Sequence, residues 1–495
     1  MNPYTELETQ FRRIGALEEA EGILHWDMSV IMPKGGAESR AEQLAAMKLT
    51  IHGLLTDSEL ATLLDAAEET PPIGSWQAAN LREMRRRWRH ANAVDGNLVE
   101  ALSKASSRCE MIWREARPKN DFPAVSESLS EVLGLVRQKA QTKASVLGVT
   151  PYEALLDQFE PETRIADIDH LFDDLATFLP DFLDNALARQ TAAGEPVIPE
   201  GPFDLEAQRT LAGKLMEHVG FDFDHGRLDI SLHPFCGGVP DDVRITTRYE
   251  EDDFAQSLMG VLHETGHAMY ERGLPTDWRL QPVGQARGMA LHESQSLLVE
   301  MQVCRGIEFL TFAAPVMQAA FDGEGTAWDP ANMQRLQARV ERGFIRVDAD
   351  EVTYPAHVIL RYRLERALIA GDMEIADLPT AWNDGMEELL GIVPESDRVG
   401  CLQDIHWFDG AFGYFPTYTM GALAAAQIFQ AACVADSAIK PGIAKGDFVP
   451  LMTWLRANIH GKGSSGTTDE ILTEATGAPL GTEAFKSHLN ARYLD

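Results

Sequence analysis

Cysteine is scarce and unpatterned in this chain. Its five cysteines, Cys109, Cys236, Cys304, Cys401 and Cys433, are odd in number, widely spaced and form no CxxC pair. That argues against a secreted disulfide framework, so reduced thiols in a cytoplasmic protein are expected. Positive charge is also in short supply: 43 Lys and Arg stand against 76 Asp and Glu, a net charge of −33. A surface of that sign repels nucleic acid and anionic lipid, and neither is expected as a partner. Long apolar runs are missing too. The first residues, MNPYTELETQFRRIGALEEAEG, carry charges where an export signal has an apolar core. The most apolar segment, Met420 to Ala435, is interrupted by Gln427 and Gln430 and falls short of a bilayer span, which predicts a buried helix. No sequence repeat or low-complexity tract is present.

What remains is ordinary globular composition, 45% apolar and 24% charged over 495 residues. This suits two or three domains or one large helical body with a cleft. Up to about Leu187 the apolar residues recur at helical spacing, broken by short turns such as Pro71-Pro72-Ile73-Gly74. The segment Ala192 to Phe203, with three prolines and two glycines, is the clearest loop. A single body over residues 1–495 with subdomains 1–195 and 196–495 is therefore expected. Beyond the loop, Leu228, Ile230 and Leu232 alternate with polar residues, His233 to Gly238 turns the chain, and Val243, Ile245, Thr247 and Tyr249 alternate again. This predicts a small antiparallel sheet. Helical periodicity then returns, with interruptions at Asp322 to Asn332 and Gly461 to Asp469.

Directly after the sheet, Asp252 and Asp253 can cap a helix from Phe254 to Arg272, Gly273 can end it in a left-handed conformation, and Pro275 follows. Phe254, Leu258, Val261 and Leu262 form its anchoring stripe. His263 and His267, four residues apart, project side by side and can share one metal ion. Glu264 between them completes HExxH, in which the carboxylate stands beside the metal as a general base. A catalytic zinc requires a third protein ligand and an open position. The next helix, Gly288 to about Cys304, offers Glu293, 26 residues after His267, with His292 and Glu300 as competitors that spacing leaves open.

The segments His263-Glu264-Thr265-Gly266-His267 and His292-Glu293-Ser294-Gln295 together resemble the Taq-type family of thermostable metallocarboxypeptidases. Further segments agree in order: Asp242-Val243-Arg244-Ile245-Thr246, Ile345 to Asp350, and Gly400 to Trp407. His233-Pro234-Phe235, Gly413 to Thr419, Trp26-Asp27, Met32-Pro33 and Gly35 to Arg40 also fit. One departure is Leu297 and Val299, where relatives commonly carry Arg and Trp. The resemblance implies a mainly α fold, a large helical body with a deep groove, a homodimer, and release of single residues from the free C-terminus of peptides. It selects Glu293 as the third zinc ligand, with Co²⁺ or Mn²⁺ as substitutes. Glu264 is then the expected base, and His233, His406 and Tyr418 are candidate donors to the developing oxyanion. A C-terminal carboxylate calls for a guanidinium fork, for which Arg346 comes first. Arg244 is second, with pairing to Asp242 as its alternative role. A zinc oligoendopeptidase and a non-catalytic metal-binding helical scaffold are the competing functions.

Overall fold

Helical periodicity over most of the sequence becomes twenty α-helices and one three-stranded sheet among the described residues. The computed structural model describes residues 2–72, 74–231 and 234–495. Eight of the helices lie between Pro3 and Ala193. Local chemistry sets their limits: side chains of Asn2, Asp57, Asp95, Asp121 and Thr150 accept hydrogen bonds from exposed N–H groups at helix starts. Asn120 and Gly148 end two helices in the left-handed region.

The helices close over three apolar clusters. One gathers Val132, Phe172, Leu368, Trp382 and Phe408, and another Leu215, Ile245, Leu262, Leu298 and Leu451. A smaller one joins Leu7, Phe11, Leu64 and Met84 near the N-terminus. Each fully buried side chain of this size contributes about 1.5–3 kcal/mol relative to exposure. The apolar helix expected from Met420 starts earlier, at Pro416, and runs to Ala435. By length and composition alone it could cross a membrane. Here Leu423 and Ala426 pack into the first large cluster and Ala425 and Ile428 into the second, so protein occupies both faces.

The sheet departs from the expected pairing. Its strands are β1 (Gly226–Ile230), β2 (Phe235–Val239) and β3 (Asp242–Thr247), in the order β1-β3-β2. The two segments read as antiparallel partners, β1 and β3, pair in parallel, with Leu228 opposite Ile245. The antiparallel partner of β3 is β2, formed by residues read as a turn. The tight connection is Pro240-Asp241, two residues long, which folds β2 onto β3 and leaves only the far edge of β3 for β1. Gly238, at φ +86, sits beside this hairpin, where a Cβ would lie 2.2 Å from the Asp242 carbonyl oxygen.

Candidate active site

The helix Phe254–Gly273 begins as its sequence demands: the Asp253 carboxylate accepts from the N–H groups of Ala255 and Gln256 at 2.9 and 3.1 Å. Its end differs from expectation. Gly273 keeps helical geometry and Leu274 is the cap, because glycine is needed there for a different reason. A Cβ on Gly273 would stand 2.6 Å from the His460 ring. Halfway along, Gly266 performs the same service against the neighbouring helix, Gly288–Leu297: its Cβ would lie 2.3 Å from the Gln295 carbonyl oxygen. This close crossing brings Glu293 to the two histidines.

His263, His267 and Glu293 form one cluster whose potential ligand atoms all lie within 4.8 Å of one another. Glu293 Oε2 is 3.3 Å from His267 Nε2 and 3.9 Å from His263 Nε2. Ligands about 2.0–2.1 Å from a tetrahedral zinc stand roughly 3.3 Å apart, so the donor set fits such an ion. The outer ring nitrogens are held as metal-binding imidazoles require. Nδ1 of His267 donates to the His292 carbonyl at 3.2 Å, and Nδ1 of His263 lies 2.9 Å from Glu300 Oε2. Glu300 is in turn fixed by Arg305 at 2.6 Å.

Glu300 and His292, the other two candidates, make contacts outside the cluster. Glu300 lies on a π-helical stretch, Leu298–Cys304, into which the preceding α-helix passes. The wider turn carries its carboxylate behind His263. His292 turns to Glu271, at 2.8 Å, and stacks on the His267 ring. Leu297 and Val299, the departures from the family pattern, are buried in the second large cluster. At the other end of the Glu293 helix, Glu160 accepts from the Ala290 N–H at 2.8 Å, and the Phe159 carbonyl accepts from Met289 at 2.7 Å. Gly421 of the Pro416–Ala435 helix presses directly on the Glu293 side chain, 2.8 Å from where its Cβ would be.

Charge in the cluster also suits a cation. Burial alone would depress His263, but the Glu300 hydrogen bond and the charges of Glu293, Glu264 and Glu300 lift it to about 10. Three carboxylates around one imidazole are an environment that a divalent ion neutralises. Glu264 is buried, and burial pushes its carboxyl up to about 7, against the lowering effect of His263. The Cys236 N–H of strand β2 donates to it.

Across the site, Tyr354, Tyr414 and Tyr418 all feel the Glu293 charge. His406 Nε2 lies 3.4 Å from the Tyr418 hydroxyl, and burial lowers this imidazole to about 4. Arg346 is buried against the Tyr418 ring, with its Nη2 2.8 Å from Asp404. Arg361 reaches the same carboxylate at 2.6 Å, so two guanidinium groups share one acid and leave a local excess of positive charge. Arg244 makes the alternative contact foreseen for it: Nη2 is 2.5 Å from Asp242, and the guanidinium covers the Trp26 ring. His233 lies outside the described residues. Sequence reasoning missed Tyr354, which hydrogen-bonds Arg346, and Arg361. Neither lies in a recognisable spacing pattern; both arrive through the helix Tyr354–Ala370.

A two-histidine, one-carboxylate cluster beside a buried glutamate is a candidate metallohydrolase centre. The chain belongs to the carboxypeptidase Taq (M32) metallopeptidase family, which it matches over residues 6–493. It is 37% identical to thermostable carboxypeptidase 1 of Thermus thermophilus, over 98% of this chain and 97% of that one. Among solved structures, metallocarboxypeptidase 1 of Trypanosoma cruzi superposes with a TM-score of 0.97 at 40% identity, covering 100% of this chain and 99% of its own. The carboxypeptidase of Pyrococcus furiosus follows with 0.93 at 32%, over 100% and 99%. The protein is a metallocarboxypeptidase by family.

Proposed function

We propose that the chain is a zinc-dependent carboxypeptidase that releases single residues from the free C-terminus of peptides. The convergence of His263 Nε2 and His267 Nε2 on Glu293 Oε2 carries this reading. A divalent ion held by these three residues would polarise the scissile carbonyl and acidify a water molecule toward neutral pH. Zinc suits the mixed nitrogen and oxygen donors, with cobalt or manganese as substitutes. Glu264, lifted to about 7, is matched to taking a proton at neutral pH and returning it to the leaving amine. Tyr418, pushed up to about 12 by burial, keeps its proton and can donate to the developing oxyanion. Neutral His406 is the second donor, and His233 remains a third on sequence alone.

Arg346 is the proposed anchor for the substrate carboxylate. Asp404 accepts from its Nε and Nη2, which orients the fork. The excess positive charge shared with Arg361 favours an anion there. Arg244 braces the sheet. A deep groove, a homodimer, a cytoplasmic location and the absence of nucleic-acid or membrane partners complete the proposal.

The test is one unstructured peptide, offered as free acid and as C-terminal amide, with and without a chelator, its products followed by mass spectrometry. Stepwise loss from the free acid alone, abolished by chelation and by Glu264→Gln with metal retained, is expected. Internal fragments from both forms would overturn the exopeptidase reading. Undiminished turnover in Glu264→Gln would overturn the role of the base.

A further inference from the structure

Away from the metal cluster, a cavity of about 460 Å³ opens between the helices Ser75–Asn92, Gly96–Lys119 and Phe122–Leu147. This volume is typical of small-molecule sites. One wall is apolar, with Val94, Leu98, Val99 and Leu102. The lining also includes Lys143, whose Nζ lies 3.0 Å from His90 Nδ1 and 2.9 Å from Gln158 Oε1. His90 Nε2 is in turn 2.6 Å from Asp157 Oδ2.

The tautomer follows from these contacts. A carboxylate only accepts, so Asp157 fixes the proton on Nε2, and Nδ1 presents its lone pair to the amine. This is the carboxylate, imidazole and nucleophile order of a hydrolytic triad, with an amine as the third member. Nζ has two hydrogen-bond partners, which leaves one of its three positions for a lone pair. Ser106, on the same cavity, is buried and its hydroxyl has no partner among the described residues.

We propose that this cavity is a second reactive site, in which Lys143 captures small aldehydes bearing a short apolar tail as a Schiff base. Neutral Nζ forms the new C–N bond while the carbonyl π pair moves to oxygen. His90 takes the ammonium proton and returns it to that oxygen, giving the carbinolamine; the nitrogen lone pair then forms C=N as the C–O bond breaks, and His90 carries the second N–H proton to the departing hydroxide, so aldehyde and amine give imine and water. Ser106 is placed as hydrogen-bond donor to the departing oxygen. An anionic ligand is disfavoured because Glu110 and Asp409 face the same space as the lysines.

The electrostatics agree with the geometry. Burial, then Lys139 on the same helix, bring the Lys143 amine down to about 7; Arg86 adds to this and Asp157 opposes it. His90, lowered by burial, stays neutral and able to accept.

The experiment treats the metal-loaded, full-length protein with hexanal, fixes imines with cyanoborohydride across pH 6–10, and maps alkylated lysines by mass spectrometry. Near neutral pH, Lys143 is expected to react about ten-fold or more faster than exposed Lys104 and Lys119, because ordinary lysines are almost wholly protonated there. Its rate should rise with a midpoint near 7, and His90→Gln should slow it. Lys143→Arg should remove the adduct and leave peptidase activity intact. Labelling of Lys143 in the wild-type protein no faster than Lys104, or with the same pH midpoint as Lys104, would overturn the proposal without reliance on any variant.

Discussion

Gly266→Ala tests whether the site depends on the crossing of its two helices. The added methyl carbon would stand 2.3 Å from the Gln295 carbonyl oxygen, 2.6 Å from Ser296 Cα and 2.9 Å from the Gln295 carbonyl carbon. All three are backbone atoms, so no side chain can swing away. The helix Gly288–Leu297 must retreat by about 1 Å to restore ordinary contact, and Glu293 rides on it. Overpacking of this kind costs about 1–3 kcal/mol of stability. Metal sites tolerate ligand displacements of only about 0.2 Å, so affinity for zinc should fall by more than the ten- to hundred-fold typical of outer-contact changes. Gly260→Ala is the control, since it lies on the same helix and its Cβ would meet nothing within 4 Å. That change should raise stability slightly, by up to about 1 kcal/mol from helix propensity. The assay is zinc competition against a chromophoric chelator, with thermal unfolding of both variants. If Gly266→Ala bound zinc like wild type and melted like Gly260→Ala, the close-crossing argument would be refuted.

Glu300→Gln keeps an acceptor beside His263 but removes its charge, and is expected to weaken zinc binding about ten- to a hundred-fold. Unchanged affinity in the same competition assay would remove Glu300 from the supporting shell. A second test concerns acid stability. Glu351 is buried among His488, Arg492 and Tyr493. Burial would raise its carboxyl, but His488 and Arg492 outweigh that and hold it at about 2. Because the folded value lies below the ordinary 4.5, the stabilisation is complete above pH 4.5 and is lost as pH falls toward 2. Its size is on the order of 3 kcal/mol. Glu351→Gln should be less stable at neutral pH and show a correspondingly shallower acid limb; an unchanged limb would exclude this residue as its source.

Much of the site was legible because it is local. HExxH on a capped helix sets two imidazoles on one face by helical geometry alone, and Asp253 is the cap that composition suggested. Which side chain joins the two histidines was not legible from spacing, since Glu293, His292 and Glu300 all sit on one apolar-periodic segment. Their separation depends on the passage from α to π geometry at Leu298, a feature without a residue signature. Gly273 was misread for a similar reason. A glycine near a helix end signals a left-handed cap, yet here it admits the His460 ring.

The sheet shows the same division. Alternation located β1 and β3 because it records which face each residue buries, but alternation carries no strand direction, and the Pro240-Asp241 hairpin reversed the expected pairing. By itself, then, the sequence determined the helical class, the HExxH helix and, through several segments in order, the family. The tertiary structure decided which carboxylate faces the histidines, that Glu300 stands behind His263, and that Asp404 holds Arg346 and Arg361 together. Those pairings join residues from 26 to 58 positions apart. Helix and strand periods describe neighbours within a few residues; contacts at longer range are settled only when the helices pack and backbones approach as closely as Gly266 allows.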